Sequence, residues 1–413
     1  MDDQEGEYVD ADEAAQVIDA GGDDAPPGDD EDMGDLAPEE EEELTEEEKK
    51  ARAEADAKAS AMATEIRGLL DSDDSAQGFF DHTDSVLTVA LSPLHPTLAL
   101  TGDQNNQAYI WDITTGERRF LLSGHTDSVI DCGFSADGRL AATASMDATV
   151  RVYNVADGSL RHSLEGPAKD IEWLAWHPLG PVVVAGSADE TLWMWNADSG
   201  ECMSVFSGQS GSVTAGAWTP DGKTLLSCGE NGDLVVWNPK SGAPLLHLKQ
   251  VHEGPVTSFA VHPDKAQRMC ATGGADGEIK VWNVDTGKML AQLRGAHGHT
   301  DSVEGLQFAA KHKMLASCSV DGKVKIWDLT NGQCRVTCAH DDAVTHVEWS
   351  PTGDPVVYTS SVDKTVRLWD ARSGECMRTW KGHSDAVLAC RVSADGGTIV
   401  TGSDDHTALV FKR

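Results

Sequence analysis

No run of about 18 apolar residues occurs anywhere in the 413-residue chain, so no segment is built to cross a membrane as a helix and no membrane insertion is expected. Basic residues are also scarce: 32 Lys and Arg stand against 69 Asp and Glu, a formal charge of −37. Clusters of Lys and Arg, which hold nucleic-acid phosphates or anionic headgroups, are missing, and the balance favours a basic protein partner over direct nucleic-acid binding. The nine cysteines are odd in number and scattered, in a chain without an apolar leader. That usage argues against a disulfide scaffold and for a reducing compartment, cytoplasmic with the nucleus also open. Cys334 and Cys338 are the closest pair, yet no second pair or His pair completes a four-ligand site, so neither metal nor other cofactor is expected. Aromatic residues make up only 6% of the chain, but 12 of them are Trp, and these recur on a period.

An Asp or Asn followed six positions later by an aromatic residue appears as Asn105/Trp111, Asp147/Tyr153, Asp189/Trp195, Asn231/Trp237, Asp276/Trp282, Asp321/Trp327, Asp363/Trp369 and Asp405/Phe411, at spacings of 42 or 45 residues. A period of about 40–45 residues closing on Trp-Asp or Trp-Asn marks propeller blades, each a four-stranded sheet. The pattern predicts an all-β, eight-bladed β-propeller over residues 75–413. Residues 1–74 differ: they hold 29 acidic residues against Lys49, Lys50, Arg52, Lys58 and Arg67. This acidic tail is expected to be mostly disordered, because it has too little apolar surface to offset ordering entropy. A helix is predicted over 45–70, from a capping box at Thr45 and Glu48 and i, i+4 pairs such as Glu46/Lys50. Blade eight ends at Arg413 without an outer strand, while Ser75 to Asp81 precedes blade one unused. Closure of the ring assigns that N-terminal segment to the last blade.

His and Asp are acid/base candidates, but here they recur blade after blade, whereas a catalyst needs one site. The full sets are His252, Thr272, Asp276 and Trp282; His299, Ser317, Asp321 and Trp327; and His340, Thr359, Asp363 and Trp369. A structural hydrogen-bond relay is expected, with the Trp ring packed between blades. Blades three and four depart, with Pro167 and Gln209 for His, Ala185 for Ser/Thr and Asn231 for Asp, so their relays are expected to be absent or weaker. Blade three carries extra tryptophans; Trp173 and Trp193 are candidate aromatic anchors for a partner or inter-blade core. No nucleophile–base pair, phosphate loop or ligand cluster rises above the repeat, so no enzyme and no catalytic residue is expected.

Turns before the first strand and between the second and third strands of each blade share one face of the disc. They carry Asp84, Asp127, Asp170, Glu172, Glu230, Glu253, Asp301, Glu304, Asp341, Asp342, Asp385 and Asp404, opposed chiefly by Lys169. The opposite turns mix Arg139, Lys223, Lys265, Lys288 and other bases with carboxylates. Like charges gathered on one face attract a cationic chain, which makes the acidic face the expected binding surface.

Within the propeller pattern, Glu172-Trp173…Trp176-His177-Pro178…Trp193-Met194-Trp195 and Val366-Arg367-Leu368-Trp369-Asp370-Ala371-Arg372 carry a narrower likeness. These segments resemble the angio-associated migratory cell protein family, which includes a fungal WD-repeat chaperone dedicated to one nascent large-subunit ribosomal protein. The resemblance implies a monomeric chaperone that captures the basic N-terminal segment of its client and escorts it to ribosome assembly. Two other readings stay open: a multi-partner signalling or cell-migration scaffold, and a histone escort.

Overall fold

Short runs rich in Val, Leu, Ile, Ala and aromatic residues, broken by turns containing Gly, Asn and Asp, form strands throughout the propeller. The computed structural model describes residues 73–294 and 298–413. The expected disordered tail and the helix over 45–70 lie outside the described residues. β1 (Gln77–Phe79) is followed by blade one: β2 (Val86–Leu91), β3 (Leu98–Asp103), β4 (Ala108–Asp112) and β5 (Arg118–Leu122). The pattern repeats in fours to β30 (Val387–Val392), β31 (Thr398–Ser403) and β32 (Ala408–Lys412), giving eight four-stranded antiparallel sheets.

The first strand of each blade lies innermost. β2, β6 (Val129–Phe134), β10 (Ile171–Trp176), β14 (Ala215–Trp218), β18 (Val256–Val261), β22 (Val303–Phe308), β26 (Val344–Trp349) and β30 neighbour one another in turn, and β30 meets β2 again. The ring is closed. Second strands are buried along all or nearly all of their length, fully so in β3 and β7 (Leu140–Ser145), because each is sandwiched between adjacent blades. Small residues such as Ala141, Ala142 and Ala144 let those layers approach. The core is therefore divided among inter-blade layers, one of which joins Leu100 and Ile110 of blade one to Phe134 and Tyr153 of blade two.

The last sheet has the order β1-β32-β31-β30, so the segment before blade one supplies the outer strand of blade eight. Gln77, Gly78 and Phe79 pair with Val410, Leu409 and Ala408, and Asp74 continues the contact through its N–H to the Lys381 carbonyl at 2.7 Å. Phe79 is 1% exposed and stacks on Trp111 with ring centroids 5.1 Å apart. One side chain thus locks blade eight to blade one.

Candidate functional site

The relay positions come together blade by blade. In blade six the His299 Nδ1–H donates to Asp321 at 3.1 Å, Ser317 Oγ lies 2.8 Å from His299 Nε2, and the Trp327 indole N–H donates to Ser317 Oγ at 2.9 Å. Blade five repeats this through His252, Asp276, Thr272 and Trp282, and blade seven through His340, Asp363, Thr359 and Trp369. With Trp donating to the hydroxyl and the hydroxyl donating onward, the ring accepts at Nε2 and is neutral. Burial lowers the His299 pKa, and it outweighs the opposing pull of Asp321. Burial alone would raise the Asp321 pKa, but hydrogen bonds from His299 and from the Thr300 and Lys323 N–H groups hold it far below the usual range. Each set is satisfied internally, which suits a structural part and leaves no proton acceptor facing a substrate.

Two carboxylates were misassigned from the repeat. In blade one His82 bonds Asp103 at 2.8 Å and Thr101 at 2.7 Å, whereas Asn105 donates to Thr83 Oγ1. In blade four Asn231 is exposed and the buried carboxylate is Asp233, which receives His247 Nε2 at 2.8 Å and the Gln250 N–H at 2.9 Å. Gln209 there accepts from Ser227, and Trp237 donates to Ser227 at 2.8 Å, so blade four keeps a shortened Trp–Ser–Gln relay that ends at a buried Gln209 Nε2 without a hydrogen-bond partner among the described residues, a weaker relay than those of blades five to seven. Asp103 and Asp233 lie two residues before and after the expected position. Asp103 ends β3 and Asp233 immediately precedes β16 (Leu234–Trp237), so each carboxylate stands at a strand end of its turn rather than at the repeating turn position.

Of the twelve carboxylates assigned to the acidic face, all but Asp84 are exposed, and Asp84 is half-buried. Several are tied to neighbouring structure: Ser85 Oγ donates to Asp404 across the blade-eight/blade-one joint, and Ser212 Oγ donates to Glu172 at 3.2 Å between blades three and four. Asp341 receives Arg367 at 2.7 Å. Glu172 and Glu304 sit at β-bulges of the inner strands, between Ile171 and Trp173 and between Val303 and Gly305. A bulge re-aims one side chain, and both carboxylates are exposed at the axis end of their blades. Opposing cations exceed Lys169: Lys249, Lys364 and Lys381 stand in turns of the same set.

Trp173 is 6% exposed and packs against Gly186 and Gly216, where an added Cβ would come within 2.2 Å and 2.3 Å of its ring. It is inter-blade core, and its part as an exposed anchor is withdrawn. Trp193 is half-buried, stacks near Trp195 at 6.0 Å and covers Gly166 of the preceding turn. It occupies the register position of Lys280 and Lys325, opposite the relay hydroxyl, and those lysines reach the carbonyls of Val251 and Gly298 in the equivalent turns. Trp193 is therefore a strap over the turn holding Pro167.

The sequence reading missed a set of polar groups around the axis. Asp131 accepts the Leu174 N–H at 2.9 Å, Gln307 accepts the Trp349 N–H, and Glu348 accepts the Val392 N–H at 3.1 Å, each from the next blade's inner strand. The Arg391 guanidinium donates to His346 Nε2 at 2.9 Å. Burial, then Arg391, pushes the His346 pKa down to about 3, and burial raises that of Glu348 to about 7. No repeated residue type announces these groups: the fifth position of β22, β26 and β30 holds Gln307, Glu348 and Arg391 in turn, and Gln307 and Glu348 make the same contact to the next inner strand.

Repeated blades, buried relays and an acidic turn face define a WD-repeat propeller. The WD domain, G-beta repeat family matches eight times, from 75–112 to 374–412, and the chain belongs to that family. Human angio-associated migratory cell protein is 45% identical over 74 residues, 18% of this chain and 17% of that protein. Ribosome assembly protein SQT1 of Saccharomyces cerevisiae is 34% identical over 84 residues, 20% of this chain and 19% of that protein, so each of these two relatives is matched over less than a fifth of its length. Over the propeller the likeness is broader. The crystal structure of Chaetomium thermophilum Sqt1 bound to the N-terminus of ribosomal protein L10 superposes with a TM-score of 0.75 at 28% identity, covering 83% of this chain and 100% of that one.

Proposed function

We propose that this propeller is a non-enzymatic chaperone that holds the basic N-terminal segment of a nascent large-subunit ribosomal protein on its acidic face and escorts it to assembly. The observation that carries this reading is the likeness, over the whole propeller, to a structure in which Sqt1 holds a ribosomal protein N-terminus. The charge distribution supplies the mechanism. Exposed carboxylates around the axis, Glu172 and Glu304 among them, attract a cationic segment before contact and keep it from competing RNA phosphates. Such a client is synthesised in the cytoplasm and assembled partly in the nucleus, which fits an escort present in both, acting as a monomer with one client. Cross-linking of ribosome–nascent-chain complexes to the protein, followed by identification of the bound chain, tests the reading. Enrichment of one large-subunit protein is expected; enrichment of histones or of signalling proteins instead would contradict it.

A further inference from the structure

The outer strands carry a second pattern, independent of the acidic face. Pairing of their last residues with the first residues of the third strands puts Arg119 of β5, Arg161 of β9 (Leu160–Leu164), Met203 of β13 (Cys202–Phe206), Leu245 of β17 (Pro244–Leu248), Leu290 of β21 (Met289–Leu293) and Arg335 of β25 (Gln333–Ala339) at equivalent positions. Each is an edge strand, and a charge at such a position blocks unwanted association. Blades one, two and six keep that charge, whereas blade seven holds Met377 there, 52% exposed but next to Arg378 in β29 (Cys376–Trp380). Blades three to five replace it with Met203, Leu245 and Leu290, which are 52%, 56% and 47% exposed. No Lys, Arg, Asp or Glu occurs within β13, β17 or β21.

Between β17 and β21 the rim opens into a cleft of about 430 Å³ lined by Leu248, Trp282 and Met289 together with the polar His247, Lys249, Lys280 and Gln292. Lys240 and Lys288, in the turns that lead into β17 and β21, are exposed beside the same strands. Two adjacent apolar edges with Lys240, Lys249 and Lys288 at their ends, beside a blade-three edge whose leading turn holds Asp198 and Glu201, are more than the scattered exposed apolar residues of an ordinary surface. We infer that the rim of blades four and five docks an acidic amphipathic helix of a partner protein, its apolar face against Leu245, Met289 and Leu290 and its carboxylates on Lys249 and Lys288. The helix-in-groove mode supplies apolar anchors, and the lysines choose the sign of the flanks.

The test uses the full chain and a fluorescent synthetic peptide with Leu every three or four residues among Glu, read by anisotropy. A peptide of the same pattern with Lys in place of Glu, and a scrambled Leu/Glu peptide, serve as comparisons. The patterned acidic peptide should bind at least about tenfold more tightly than either, a difference of about 1.4 kcal/mol. Leu245→Arg with Leu290→Arg, which restores the residue type of blades one, two and six, should lower its affinity about tenfold without changing the melting temperature. Lys249→Glu with Lys288→Glu, both at exposed positions, should do the same should the arginine pair prove unstable. Glu172→Lys with Glu304→Lys on the acidic face should leave it unchanged, which separates this surface from the client site. Equal binding of the three peptides, no binding, or indifference to both rim variants would overturn the inference. So would a concentration-dependent dimer abolished by the arginine pair, which would assign the rim to a second copy.

Discussion

Asp321 is held by His299 and by the N–H groups of Thr300 and Lys323, so its removal strips three donors of their acceptor at once. Asp321→Ala is expected to cost about 1–3 kcal/mol in denaturant titration, and the exposed Asn231→Ala less than about 0.5 kcal/mol. Asp233→Ala, not Asn231→Ala, is the blade-four equivalent. Protonation gives a second reading of the same groups. His299 has a lowered pKa, so the stability tied to its neutral ring is complete above about 6.5 and is lost as pH falls through the lower folded value. His299→Gln should flatten the decline in stability between pH 6.5 and 5. Glu348 has the opposite sign: with its folded pKa raised to about 7, stability falls as pH rises from the ordinary carboxylate range through that value. Glu348→Gln should therefore gain about 1–3 kcal/mol on the parent at pH 8 and little at pH 4.5, measured by urea unfolding. At this scale the sequence was legible wherever a residue recurs. His252, His299 and His340 could be read from their spacing, but Asp103 and Asp233 could not, because they stand at the strand ends of their turns, two residues away from the repeating position. Asp131, Glu348 and Arg391 occur once each, and nothing but the folded ring brings them together.

Closure depends on one short element. β1 completes the blade-eight sheet, and Phe79 reaches the blade-one core, so a chain beginning at Asp81 should melt lower and aggregate more than one beginning at Asp71. Phe79→Ala alone should cost about 3–5 kcal/mol, a loss that thermal denaturation resolves. Equal behaviour of the two truncations would mean that the ring does not rely on β1. The turns between second and third strands offer a finer test. One position is left-handed in every blade: Gly232, Gly277 and Gly322 meet it without strain, but Ala148 holds φ 65° there. Ala148→Gly should raise stability by up to about 1 kcal/mol despite the added freedom of the unfolded chain. Element boundaries were legible because Gly and Asp punctuate each strand, and the N-terminal strand because one strand was left over and one was missing. The fate of the blade-three tryptophans was not legible, since alternation puts Trp193 and Trp195 on one side without saying whether that side meets solvent or the next blade.

At the scale of the whole molecule, the separation of charge between two faces follows from connectivity, because alternate turns of an up-and-down sheet emerge on opposite sides. What the sequence could not supply is the reach of long side chains. Lys280 and Lys325 belong to strands, yet their ammonium groups end at turn carbonyls on the acidic side. Binding that sums over exposed carboxylates must weaken with salt, as the screening length is only about 8 Å at physiological ionic strength. The most direct test of the account is calorimetry of the full chain against the basic N-terminal peptide of the large-subunit ribosomal client, with a histone tail as competitor. The account predicts binding that falls as salt rises, weakens at least about tenfold in Glu172→Lys with Glu304→Lys while melting is unchanged, and is not displaced by the histone tail. Binding indifferent to both salt and charge reversal, or a clear preference for the histone tail, would contradict it.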